Sequence, residues 1–237
     1  MGRPSVAAAR RRQILEAAIR CIAAHGMSGA TLDRIADEAG MARGHVRHFA
    51  GNRDDILVGA AVLLYFDAVP DLGADIVPGA LPGAFFSPED DSVEAALDYL
   101  FGYFAEPGAS NTAALAFVDA GRTNADLHLV VTEAYASAES ELAALVGRAY
   151  PDADADARSR TAKGIMSIAI GNVFMVDLQV GPQVGLQASP DLDRERTRLA
   201  RESAGILLDA LGAEVSARVS AEVSNGARPT RQTTGRK

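Results

Sequence analysis

Four donor side chains, Arg43, His45, Arg47 and His48, fall within six residues around Gly44. Guanidinium and imidazole groups at this density can hold phosphate oxygens and read base edges, and a glycine among them permits close backbone approach. His45 and His48 stand three residues apart and could share a metal, but no nearby cysteine or carboxylate completes a ligand set. Neither a metal nor a cofactor is therefore expected. No Ser-His-Asp set, paired metal motif, P-loop or dinucleotide glycine loop is visible, so an all-α enzyme is the weaker rival to a DNA binder.

For these donors to act together they must share the outer face of one element. Val46 and Phe49, three residues apart, give a short helix at about 43–50 an inner anchor and leave Arg43, Gly44, His45, Arg47 and His48 outside. Ahead of it, Thr31 is placed to cap a helix over Leu32–Ala39, with Asp33 in its first turn and Leu32, Ile35, Ala36 and Ala39 on one face. Gly40 then supplies a tight turn, so residues 31–50 read as a helix-turn-helix. Val6–His25 carries Ile14, Leu15, Ala18, Cys21, Ile22 and His25 at helical spacing, and Gly26 ends it. Cys21 and His25 are read as packing residues on its buried face. After Gly51-Asn52 a fourth helix starts at Arg53 and runs to about Val69.

The rest of the chain is helical by the same periodicity. Pro70–Pro88 holds four prolines and three glycines and is read as an irregular connection. Helices are expected over Ser92–Ala105, Ser110–Arg122, Ala125–Tyr150, Ala155–Val180 and Asp191–Leu211. With no convincing strand alternation, the fold class is all-α: a small unit at 8–68 and a larger one at 69–212. Residues 225–237, rich in Arg, Thr and Gly, are expected to be disordered.

Charge separates the same two regions. The formal net charge is −8, yet residues 1–58 hold nine basic and six acidic groups, a balance of +3. The remaining 179 residues hold 14 basic and 25 acidic groups, a balance of −11. One end can therefore meet DNA while the other is repelled by it. No run approaches the roughly 20 apolar residues of a membrane span, so no membrane partner is expected. The lone Cys21 cannot form an internal disulfide, which fits a cytoplasmic location.

Residues 8–68 resemble the DNA-binding domain of the TetR (tetracycline repressor) family. The motifs are Ile14-Leu15-Glu16-Ala17-Ala18, His25-Gly26, Thr31 with Ile35-Ala36 and Ala39-Gly40, and the short helix Arg43 to Phe49. The resemblance implies that Thr31 binds phosphate, that Arg43, Gly44 and His45 lie nearest base edges, and that Arg47 and His48 lie nearest phosphates. It also implies that Arg53 clamps the DNA backbone. The family usually has Tyr where Arg47 stands and an aromatic where Ala50 stands, and Ala42 lacks the hydroxyl that often precedes the recognition helix. Operator preference therefore does not transfer from relatives.

The resemblance further implies a small-molecule effector, often hydrophobic, among the later helices. The candidate pocket residues are Tyr99, Tyr103, Phe117, His128, Tyr135, Met166, Asn172 and Phe174, from a wider set that includes Phe101, Phe104, Ile170 and Met175. Asn172 and Asp177 are distinctive as polar groups in an otherwise apolar helix. A single helix-turn-helix makes too few base contacts for selectivity, so a homodimer is expected, through stripes that include Ile168, Ile170 and Val173 on one helix and Leu199, Ile206, Leu207 and Leu211 on the next. The expected function is a ligand-responsive transcription repressor on a palindromic double-stranded operator. The alternative is a sequence-tolerant, nucleoid-type DNA binder.

Overall fold

The computed structural model describes residues 6–73, 79, 81, 85–86, 91–177 and 190–226. The described residues form helices α1 (Val6–Gly29), α2 (Leu32–Glu38), α3 (Arg43–Ala50), α4 (Arg53–Phe66), α5 (Val93–Phe101), α6 (Ala109–Ala120), α7 (Ala125–Ala149), α8 (Ala155–Asp177) and α9 (Pro190–Gly226), with a 3₁₀ turn at Tyr103–Ala105. Among them there is no strand, and the fold is all-α.

Local chemistry sets the first four helices. Gly26 interrupts α1 with φ 69° and ψ 173°, as its position after the apolar stripe predicts. Thr31 caps α2, its Oγ1 accepting the Arg34 N–H at 3.3 Å. Gly40, at φ 64°, lets its own N–H reach the Asp37 carbonyl at 3.0 Å while the Met41 N–H reaches the Ala36 carbonyl at 2.9 Å. This pair of bonds is a Schellman ending, which satisfies the last carbonyls of α2 and turns the chain sharply into α3. Asn52 caps α4 through a reciprocal box, accepting the Asp54 and Asp55 N–H groups at 2.7 and 3.1 Å while Asp55 accepts the Asn52 N–H at 2.8 Å.

Two cores hold the chain together. In the first, Ile14, Ile35, Val46 and Ile56, one from each of α1–α4, are fully buried and share a cluster with Phe117 of α6 and Leu127 and Val130 of α7. The helix-turn-helix is thus joined to the later helices through α1 and α4, which pack on α6 and α7. In the second, α5, the distal half of α7, α8 and α9 meet around Leu100, Leu142, Ile165 and Met166. Tyr135 packs against both.

Several expected boundaries shift. The fourth helix stops at Phe66 rather than near Val69, because Asp67 turns left-handed at φ 48°. The Ser92–Ala105 helix ends at Phe101: a Cβ on Gly102 would collide with the Asp98 carbonyl oxygen, and the chain tightens into the 3₁₀ turn. The last helix continues well beyond Leu211 to Gly226. Gly212 sits inside it beneath the Tyr150 ring, and Arg218 pairs with Asp154 at 3.1 Å. His25 is exposed, not buried with Cys21, since it stands at the Gly26 break. The described part of the 70–88 connection contains no helix, and Glu141 on α7 accepts its Phe85 and Phe86 N–H groups at 3.0 and 3.1 Å. Asn225 and Gly226, expected to begin a disordered tail, belong to α9, while residues 227–237 and the helix expected beyond Asp177 lie outside the described residues.

Candidate nucleic-acid interface

The α3 helix presents its donors outward. Val46 and Ala50 are buried and Phe49 is half-buried, while Arg43, Gly44, His45, Arg47 and His48 are all exposed. Phe49 is the inner platform for both imidazoles, with ring centroids 4.9 Å from His48 and 6.5 Å from His45, each edge-on. Ala42 supplies no side-chain cap, so the first amide groups of α3 have no side-chain acceptor. A helix start in that condition suits an anion. Arg43 pairs with Asp33 at 3.0 Å in an exposed bridge, an interaction weak enough to exchange for a phosphate or a base.

Thr31 is exposed beside the α2 N-terminus. Arg53 is employed inside the fold: its Nε donates to the Ala30 carbonyl at 2.9 Å and its Nη2 to the Met27 carbonyl. It thereby ties the start of α4 to the loop leading into α2. A further arginine, Arg11 on α1, donates to the Phe49 carbonyl and to the Pro70 carbonyl, both at 2.9 Å, and lies 3.6 Å from Asp71.

A second feature lies at the far end of α4. A cleft of about 360 Å³ opens between α4, α5, the 3₁₀ turn and the start of α6, lined by Leu64, Tyr65, Phe85, Tyr99, Tyr103 and Phe104 with Glu106 and Asn111. Tyr65 donates its hydroxyl to the Ala114 carbonyl at 3.1 Å. Its ring meets Tyr135 at 5.9 Å. Burial, then the neighbouring Tyr135, push the Tyr65 hydroxyl well above the ordinary tyrosine range, so it stays neutral.

Residues 14–60 match the family profile described as bacterial regulatory proteins, tetR family. The regulator PksA of Bacillus subtilis is 38% identical over 73 residues, 29% of this chain and 36% of the relative. The repressor AcnR of Corynebacterium glutamicum is 39% identical over 51 residues, 22% of this chain and 27% of the relative. Residues 14–60 are thus similar to the DNA-binding domain of TetR-family regulators. The aligned stretches span only about a third of these curated relatives. The fold likeness extends further. A TetR transcription regulator from Haloarcula marismortui superposes with a TM-score of 0.61 at 19% identity, covering 86% of this chain and 98% of the other. A protein from Saccharomonospora viridis solved in complex with choline gives 0.56 at 21% identity, covering 81% and 95%.

Within this fold, the effector candidates from sequence separate into four groups. Tyr99 and Tyr103 line the cleft. Phe117 and Met166 are core residues in different clusters, and Tyr135 reaches the cleft only through Tyr65. His128 and Phe174 face outward. Asn172 is buried on α8, its Nδ2 donating to Thr197 at 3.2 Å, and borders an open groove between α8 and α9 instead. Asp177 accepts from Thr112 at 2.9 Å. Sequence reasoning missed Tyr65, which sits on the helix assigned to the DNA-binding unit, and Phe85, which sits in the proline-rich connection. Their aromatic character was the only signal.

Among the described residues no helix is long and apolar enough to cross a membrane, and no group of three or more His, Cys, Asp or Glu could hold a metal ion.

Proposed function

We propose that this chain is a transcription repressor that binds a palindromic operator as a homodimer and is released by a small molecule. In this reading residues 8–68 are the DNA reader and 69–212 carry effector binding and dimerisation. The observation that carries it is the division of α3: its apolar residues are turned into the core, and its four donor side chains and Gly44 are turned out. Arg43, Gly44 and His45 would face base edges, while Thr31, Arg47 and His48 would hold phosphates. Arg53 would act through the fold, by fixing the start of α4. A DNA target places the protein in the cytoplasm.

Dimerisation is supported by α8 and α9. Val173 and Leu211 of the expected stripes are spent on the internal core, but Phe174, Met175, Leu199 and Ile206 remain exposed. They border or adjoin the open groove between the two helices, and a second copy of the same pair would cover them. Effector coupling is supported by α4. Its distal residues Leu64 and Tyr65 line the cleft, and its proximal end is tied by Arg53 and the Asn52 box to the loops flanking α2 and α3. A ligand releases DNA only if it favours one arrangement of this lever over the other.

Selection of bound sequences from a random DNA pool tests the proposal. It should return two inverted half-sites about one helical turn apart, preferred over random DNA by about 10³ or more. Recovery of no motif, with equal affinity for all duplexes, would leave a sequence-tolerant DNA binder. Arg47→Ala should weaken every sequence about equally and reduce the salt slope by about one unit, and an unchanged slope rejects its phosphate role. His45→Ala should leave the slope alone and relax the selected motif at one position, a loss of about 1–3 kcal/mol in discrimination. An unaltered motif would remove His45 from direct readout.

A further inference from the structure

The aromatic cleft has one-sided electrostatics. Five rings, Tyr65, Phe85, Tyr99, Tyr103 and Phe104, form its walls, and Glu106 is the one charged side chain among the described residues that line it. Among the described residues no Lys, Arg or His lines it. The rings brace one another: Tyr99 lies 6.0 Å from Tyr103 and 6.1 Å from Phe104 at shallow angles of 30° and 31°. Phe85 stands edge-on to Tyr99 and Phe104 at 5.9 and 5.5 Å. Asn111 pins the turn that carries Glu106, donating to the Phe104 and Glu106 carbonyls at 3.0 and 2.7 Å. Among the described residues the Glu106 carboxylate forms no ion pair; it also borders a neighbouring groove, whose Arg194, Arg198 and Arg201 are paired instead with Asp191, with Glu202, and with Glu94 and Asp98.

Aromatic faces carry negative potential, so they attract a cation and repel an anion. The carboxylate adds to both effects. A neutral apolar ligand gains nothing from Glu106 and partly strips its water, which costs binding. We infer that the effector of this cleft is an organic cation, its positive group cushioned by carbon, held by the ring faces and by Glu106. The inference rests on the reading of this cleft as the effector site and assigns that site its ligand class.

Three probes of similar size separate charge from shape: benzyltrimethylammonium, its uncharged isostere neopentylbenzene, and the anion 3-phenylpropanoate. Binding to the full-length protein is measured by competition against a fluorescent ligand and by release from the selected operator. The cation should bind at least about tenfold tighter than the isostere, and the anion weakest. Glu106→Gln, at an exposed position, should reduce that preference about five- to tenfold and leave the isostere within about twofold. Tyr99→Leu should weaken the cation and the isostere together. Equal affinity for cation and isostere, lost together in Tyr99→Leu, would overturn the cation assignment and keep the cleft as the effector site. Failure of all three probes, or binding unaffected by Tyr99→Leu, would overturn both.

Discussion

Arg11→Ala should lower stability by about 2–4 kcal/mol and the melting temperature by roughly 5–15 °C. The Arg11 side chain is only 15% exposed and joins three separated segments: α1 that bears it, the Phe49 carbonyl in the last turn of α3, and the Pro70 carbonyl with Asp71 just after α4. Truncation leaves two partly buried carbonyls without their charged donor, and that desolvation loss exceeds the modest net value of an ordinary hydrogen bond. The effect should reach the proposed function as well, because the clamp fixes the end of α3 against the chain that follows α4. Operator affinity should fall even though Arg11 lies behind α3. Arg11→Lys discriminates between charge and shape: an ammonium cannot reproduce the planar fork that serves both carbonyls, so it should recover less than half of the loss. Full recovery by lysine would show that charge alone matters. An unchanged melting temperature in Arg11→Ala would show that the clamp holds nothing.

This clamp also marks where sequence reading stops. The helix-turn-helix was legible because each of its decisions is made within a few residues: the Thr31 cap, the Gly40 ending, the Val46 anchor and the Gly51-Asn52 break. The Asn52 box was legible in principle too, from an Asn followed three residues later by Asp ahead of an apolar run, although the turn was read without it. What could not be read depends on partners distant in the chain. Arg53 has the residue type of a phosphate clamp, and only the folded chain reveals the Met27 and Ala30 carbonyls waiting for it. Tyr65 and Phe85 carry no spacing that links them to Tyr99, so the cleft was half visible. The extension of α9 past Leu211 depends on Tyr150 settling over Gly212 and on Asp154 meeting Arg218, both from the α7–α8 corner. Periodicity records which face a helix buries, and says nothing of which distant group completes it.

Two glycines in the same DNA-binding unit make the second large prediction, because both have positive φ and only one is enclosed. Gly40 lies at φ 64° with nothing within 4 Å of where a Cβ would stand. Gly40→Ala should therefore cost only the left-handed backbone penalty, about 1–2 kcal/mol. Gly51 lies at φ 86° and ψ −154°, a region that is essentially glycine's alone and costs any other residue about 1–3 kcal/mol. A Cβ there would also run into the Asp55 carboxylate and stand 2.9 Å from Leu72 Cδ1. Leu72 can rotate away. Asp55 can do so only by leaving the Asn52 N–H, which opens the box that starts α4 and removes about another 1 kcal/mol. Gly51→Ala should thus lose about 3–5 kcal/mol in denaturant unfolding, and Gly51→Ala with Asp55→Ala should lose less than the two single changes added together, since the collision and the cap are one contact counted twice. Equal losses for Gly40→Ala and Gly51→Ala, or strict additivity in the double variant, would mean that the joint between α3 and α4 is not built around the Gly51–Asp55 contact.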